Sequence, residues 1–147
     1  MTDVTPITAS KDQLSVLQNL LSRSADCRAW YEQMADKAEP DFRFIALKFR
    51  GLHVAHCDRI ASIITAMGGD PDGSEGLSAA LHRTAVSVRA LFEEIDGDMM
   101  SGIEDAEAQV LGDFDAALSC LPPSPYRDEL CQMKGELVKL LADEDAA

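Results

Sequence analysis

The stretch LHVAHC, residues 52–57, sets His53, His56 and Cys57 within two helical turns, in a chain that has only three histidines. Imidazole nitrogen and thiolate sulfur suit zinc or iron better than calcium or magnesium, so the cluster raises a metal question first. His53 and His56 are three residues apart, and His53 and Cys57 four. On a helix either pair shares one face. The competing reading is structural. A buried neutral histidine can bond to a backbone carbonyl or to a serine such as Ser24 or Ser62, and a free cysteine packs as a small apolar residue. Other chemistries find little support. There is no P-loop, dinucleotide fingerprint, GxSxG elbow or CxxC pair. DGDMMSGIEDAE, residues 96–107, has acidic first, third and twelfth positions like a calcium loop. Met100 and Ser101 stand where that loop needs an oxygen ligand and a glycine.

Helices must position these groups. Apolar residues make up 46% of the chain and aromatics only 5%, an aliphatic balance that favours helix over strand. The punctuation predicts five helical stretches. The first runs over 11–38 behind a Ser10–Gln13 capping box, with Leu17, Leu20, Ser24, Cys27, Tyr31 and Met34 on its seam. The second runs from about Asp41 to Met67, between Pro40 and the Gly68-Gly69 stop, and carries His53 and His56 on its apolar stripe. A shorter amphipathic helix over 77–95 follows a Gly- and Asp-rich loop; His82 sits off its stripe and reads as a surface residue. The fourth stretch, 99–118, carries Ile103, Glu107, Val110 and Phe114 inward. The last, from Pro125 to about Ala142, starts behind Ser124 and reads as an apolar seam. Tight first–second and fourth–fifth connections with a long link between them predict an all-α, up-down-down-up four-helix bundle. Its crossover contains the short fifth helix; an up-down-up-down five-helix bundle is the alternative. The expected organisation is a leader over 1–9, one bundle domain over 10–142 and an acidic tail over 143–147.

DCRAWYEQMADKAEPDF, LHVAHCDRIASIITAMGGDP, LSAALHR and IEDAEAQVLGDFDAAL, in that order, resemble a bacterial ferritin-like four-helix-bundle family of unknown function, over residues 12–141. The resemblance implies the fold and little about activity. Ferritin-like carboxylate proteins that bind two metals take a Glu from each of two helices and an ExxH from each of the other two. Here the second helix has no Glu, and His53-x-x-His56 stands where an ExxH is expected. The last helix has Glu136 but no histidine, the fourth offers Glu104 and Glu107, and the first offers Asp26 or Glu32. A conventional di-iron centre is therefore not expected.

A different site remains in view. In an antiparallel hairpin that turns near Pro40, residues whose numbers sum to about 80 lie level. That sets Cys27 against His53 and Ser24 against His56, so His53, His56, Cys27 and Glu107 are the candidate ligands, for iron or zinc. Glu104 reads as the partner of Ser101 in a second capping box, Glu107 could instead pair with Arg28, and Trp30 reads as packed under the crossover. A net charge of −13 disfavours nucleic acid and anionic membranes as partners. The N-terminus has no apolar signal region, so a cytoplasmic protein with reduced cysteines is expected. The leading functional reading is a non-enzymatic bundle in stress response or assembly. The alternative is a metal-binding or metal-dependent redox bundle using a divalent ion at mid-bundle. Iron storage in a larger shell is a third, weaker reading, and homo-oligomerisation is left open.

Overall fold

A serine starts the first helix. Ser10 Oγ accepts from the Gln13 backbone N–H, and Gln13 Oε1 accepts from the Ser10 N–H, the reciprocal bonding of a capping box. A computed structural model describes residues 10–71 and 99–145. They form α1 (Lys11–Lys37), α2 (Pro40–Ala66), α3 (Met99–Cys120) and α4 (Pro125–Asp145). The leader, the expected helix over 77–95 and His82 lie outside the described residues. No helix among the described residues is long and apolar enough to cross a membrane.

Both tight turns use one device. Pro40 and Pro125 each occupy a first helical position, where the missing N–H costs nothing. Just inside each new helix an arginine reaches back to the carbonyls that the previous helix leaves open. Arg43 donates to Ala35 and Ala38 oxygens, and Arg127 donates to the Leu118 oxygen. Ser124 caps the fourth helix through the Arg127 N–H. α2 ends at Met67 and Gly68, whose φ of 90° is open to glycine at low cost.

Cross-helix pairs fix the directions. Gln13 donates to the Cys120 oxygen at 3.0 Å, Arg23 pairs with Asp113, and Tyr31 donates to Glu107, so numbers rise along α1 as they fall along α3. Lys48–Glu144 and His56–Glu136 run the same way between α2 and α4. With α1 and α2 antiparallel, the order is up-down-down-up. α1 and α4 each pack against both α2 and α3, which leaves α2 and α3 on one diagonal. The core is aliphatic with an aromatic centre of Trp30, Tyr31, Phe49 and Phe114, all 1% exposed or less.

Three local expectations are corrected. Ser101 lies inside α3, so it is not that helix's N-cap, and Glu104 is exposed. The acidic stretch expected as a tail from 143 continues α4 to Asp145, with Glu144 held by Lys48 at 2.6 Å. The seam of α4 is not wholly apolar, because Glu136 bonds inward to His56.

Candidate metal centre

α1 contributes Cys27 and Tyr31 from its buried stripe, one turn apart. α2 contributes His53 and α3 contributes Glu107. Cys27 is 7% exposed, while His53 and Glu107 are fully buried. One ligand-type atom from each of Cys27, His53 and Glu107 lies within 4.8 Å of the other two. The sum-to-80 register between α1 and α2 had set Cys27 level with His53, and Glu107 meets Cys27 from the adjacent α3 and His53 across the diagonal.

Glu107 holds the centre together. Its Oε2 accepts a 2.6 Å bond from the Tyr31 hydroxyl. His53 Nε2 lies 2.8 Å from the same oxygen and 3.0 Å from Oε1, so the Nε2–H donates to the carboxylate. Arg28, weighed as a partner for Glu107, pairs with the exposed Glu32 instead. The imidazole is clamped flat: its ring is 5.8 Å from Tyr31 at 11°, and Tyr31 stacks on Phe49 at 5.3 Å. The serine bonds expected of a purely structural histidine do not form. Ser24 Oγ has no partner, and Ser62 is exposed.

Proton placement follows from burial. Burial pushes the Cys27 thiol well above the usual thiol range, and the Glu107 charge beside it pushes the same way. The thiol is therefore a poor nucleophile without a cation to take the place of its proton. Burial, then Glu107, raises Tyr31 as well, so its hydroxyl remains a donor. Cys57, which shares a helix face with His53 four residues away, is buried with its thiol raised to about 11 by burial, and it is outside the three-residue cluster.

His56 goes elsewhere. Its Nε2 lies 2.9 Å from Glu136 Oε1 on α4, and its ring sits edge-on to Phe114 at 6.0 Å. Arg59 donates to both oxygens of the same carboxylate, at 3.0 and 3.3 Å. The His56 bond, with help from Arg59, holds the Glu136 carboxyl below its usual range. Burial lowers His56 despite that bond, so at neutral pH Nε2–H is the donor. The Nδ1 atoms of both histidines are buried and without a hydrogen-bond partner. Nε2 is the nitrogen that faces the carboxylate in both pairs, so an ion shared by ring and carboxylate has to take Nε2, with the ring proton moving to the bare Nδ1.

Glu136 and Tyr31 were not among the candidate ligands from sequence. The signal for Tyr31 was its place one turn from Cys27 on the same seam. Glu136 had only its facing position on an otherwise apolar stripe.

The fold and site thus define an all-helical four-helix-bundle domain with a buried thiol–imidazole–carboxylate cluster. The chain belongs to the family described as a domain of unknown function, DUF2383, whose family model matches residues 12–119. That span contains Cys27, Tyr31, His53, His56 and Glu107 and ends before α4 and Glu136. No curated protein and no solved structure matches the chain in the comparisons made.

Proposed function

We propose that this protein is a ferritin-like bundle that binds one divalent transition-metal ion through Cys27, His53 and Glu107, in place of a di-iron centre. The observation that carries the reading is the convergence of three ligand-type atoms, from three different helices, in a fully buried place. A thiolate, an imidazole and a carboxylate suit zinc or ferrous iron. Three protein ligands leave one coordination position open. A tetrahedral ion needs ligand atoms about 3.3–3.8 Å apart, so His53 and Glu107 would separate by about half an ångström as the ion takes Nε2 and the ring proton moves to Nδ1. Binding also releases the Cys27 proton.

A second reading is that the cluster binds nothing and locks α1, α2 and α3 together. The short His53–Glu107 bond, already complete without an ion, favours it. The test is cobalt(II) and zinc titration of protein purified without a histidine tag, in the wild type and in Cys27→Ser, His53→Ala and Glu107→Gln. The metal reading expects one equivalent bound, a thiolate-to-cobalt absorption band, and loss of that band in Cys27→Ser. Absence of binding by the wild type overturns it and leaves the lock.

A further inference from the structure

We infer that Glu136 and His56 form an outer cation position that loads the buried centre, an inference that rests on the metal reading above. The buried centre has no exposed ligand: Cys27 is 7% exposed, and His53 and Glu107 are fully buried. An ion must therefore reach it through a group that touches both water and core. On the described surface of α2 and α4, Glu136 is such a group. Its side chain is 39% exposed, while the imidazole it bonds, His56, is 1% exposed. His56 stands three residues from His53 on the same helix, so the two rings are neighbours on one face. Both pairs are built alike: a carboxylate oxygen faces Nε2, and the buried Nδ1 has no partner and can take up the ring proton when a cation takes Nε2.

Arg59 is the counterweight. It donates to both Glu136 oxygens, and its side chain is 30% exposed, so it can swing to solvent when a cation takes the carboxylate. Glu129, 3.5 Å from Arg59 Nε, offers the guanidinium a second carboxylate to rest on. The ligand class is a hydrated divalent transition-metal ion, taken first by Glu136 Oε1 and His56 Nε2, with the ring proton moving to Nδ1.

A route residue has a kinetic signature that a stabilising residue lacks. Removing it slows entry and exit by the same factor and leaves the final affinity unchanged. Cobalt(II) uptake by the full chain can be followed in stopped flow through the Cys27 thiolate–cobalt band, and release by mixing the loaded protein with a chelator. Glu136→Gln is expected to slow both by about tenfold or more, with the same final band and stoichiometry. Arg59→Gln, which leaves Glu136 without its guanidinium, is expected to speed uptake. Uptake and release within about twofold of the wild type in both variants would overturn the route alone and leave the inner site standing. No thiolate–cobalt band in the wild type would remove the inner site, and the route with it. A Glu136→Gln protein with a lower melting temperature and unaltered rates would reduce the His56–Glu136–Arg59 group to a tie between α2 and α4.

Discussion

Buried ionisable groups decide how this core responds to its surroundings. Bonds from Tyr31 and His53 satisfy the Glu107 carboxylate, which is why it can sit at 0% exposure in an aliphatic bundle. Removing one member would strand the others, at about 3–5 kcal/mol for a broken buried pair. The thiols make a separate, pH-dependent contribution. Cys57 titrates near 9.0 when free and is raised to about 11 by burial in the fold. Below pH about 9 both folded and unfolded chains keep this proton, and Cys57 adds no pH dependence. Above it the unfolded chain ionises first, so stability falls with rising pH until the folded thiol also ionises. Two units of separation correspond to about 3 kcal/mol lost across that window. Cys27 and Tyr31, raised by burial and by Glu107, act in the same direction. Urea unfolding of the wild type and Cys57→Ala, each on both sides of pH 9, checks this. The variant is expected to lose less stability than the wild type as pH rises, whatever its cavity costs at neutral pH. An equal fall in both proteins would mean that the Cys57 thiol is not held protonated by the fold.

The elements obey local rules closely enough that glycine substitutions should split by sign. Gly51, Gly112 and Gly135 are exposed within helices, and a Cβ added at any of them would meet nothing within 4 Å. Replacement by Ala is expected to stabilise by about 0.5–1 kcal/mol each, through helix propensity and a less flexible unfolded chain. Gly68, at φ 90°, is the opposite case, and Gly68→Ala is expected to cost about 1 kcal/mol. Thermal melts of the four single variants check the split; stabilisation by Gly68→Ala would mean that the α2 terminus relaxes to another backbone conformation. The same local rules explain what was legible beforehand. Capping residues and prolines marked helix ends to within a few residues, and the 3–4 stripe put Cys27, His53 and Glu107 inward. The hairpin register then set Cys27 level with His53. Contacts between helices not joined by a tight turn were less legible. Nothing local says that Glu107 faces Tyr31 rather than Arg28, or that Glu136 turns inward to His56, because both depend on how α3 and α4 rotate against the first hairpin. Ser101 was misread for a related reason: an S-x-x-E pattern marks a helix start only where the helix begins there, and α3 already includes Met99.

At the scale of the whole molecule, a charge of −13 on 147 residues means that any cation stabilises the folded state to some degree. Like charges are closer together in the folded chain than in the unfolded one, and salt screens their repulsion. Nonspecific screening depends on ionic strength, rises gradually and does not distinguish one divalent ion from another. A buried Cys27–His53–Glu107 centre behaves otherwise, because an ion bound only by the folded state adds stability in proportion to the logarithm of its excess over the dissociation constant. Melting temperature measured against added zinc should therefore climb sharply up to one equivalent and then continue slowly. Magnesium at matched ionic strength should produce only the gradual part, since it holds its water tightly and has little affinity for thiolate. A chelator should reverse the zinc step and leave the salt effect in place. Cys27→Ser should lose the step but keep the gradual rise, because the surface charge is unchanged by the substitution. If zinc and magnesium give superimposable curves in the wild type, the cations act on the acidic surface alone, and the buried cluster is a hydrogen-bonded lock among α1, α2 and α3.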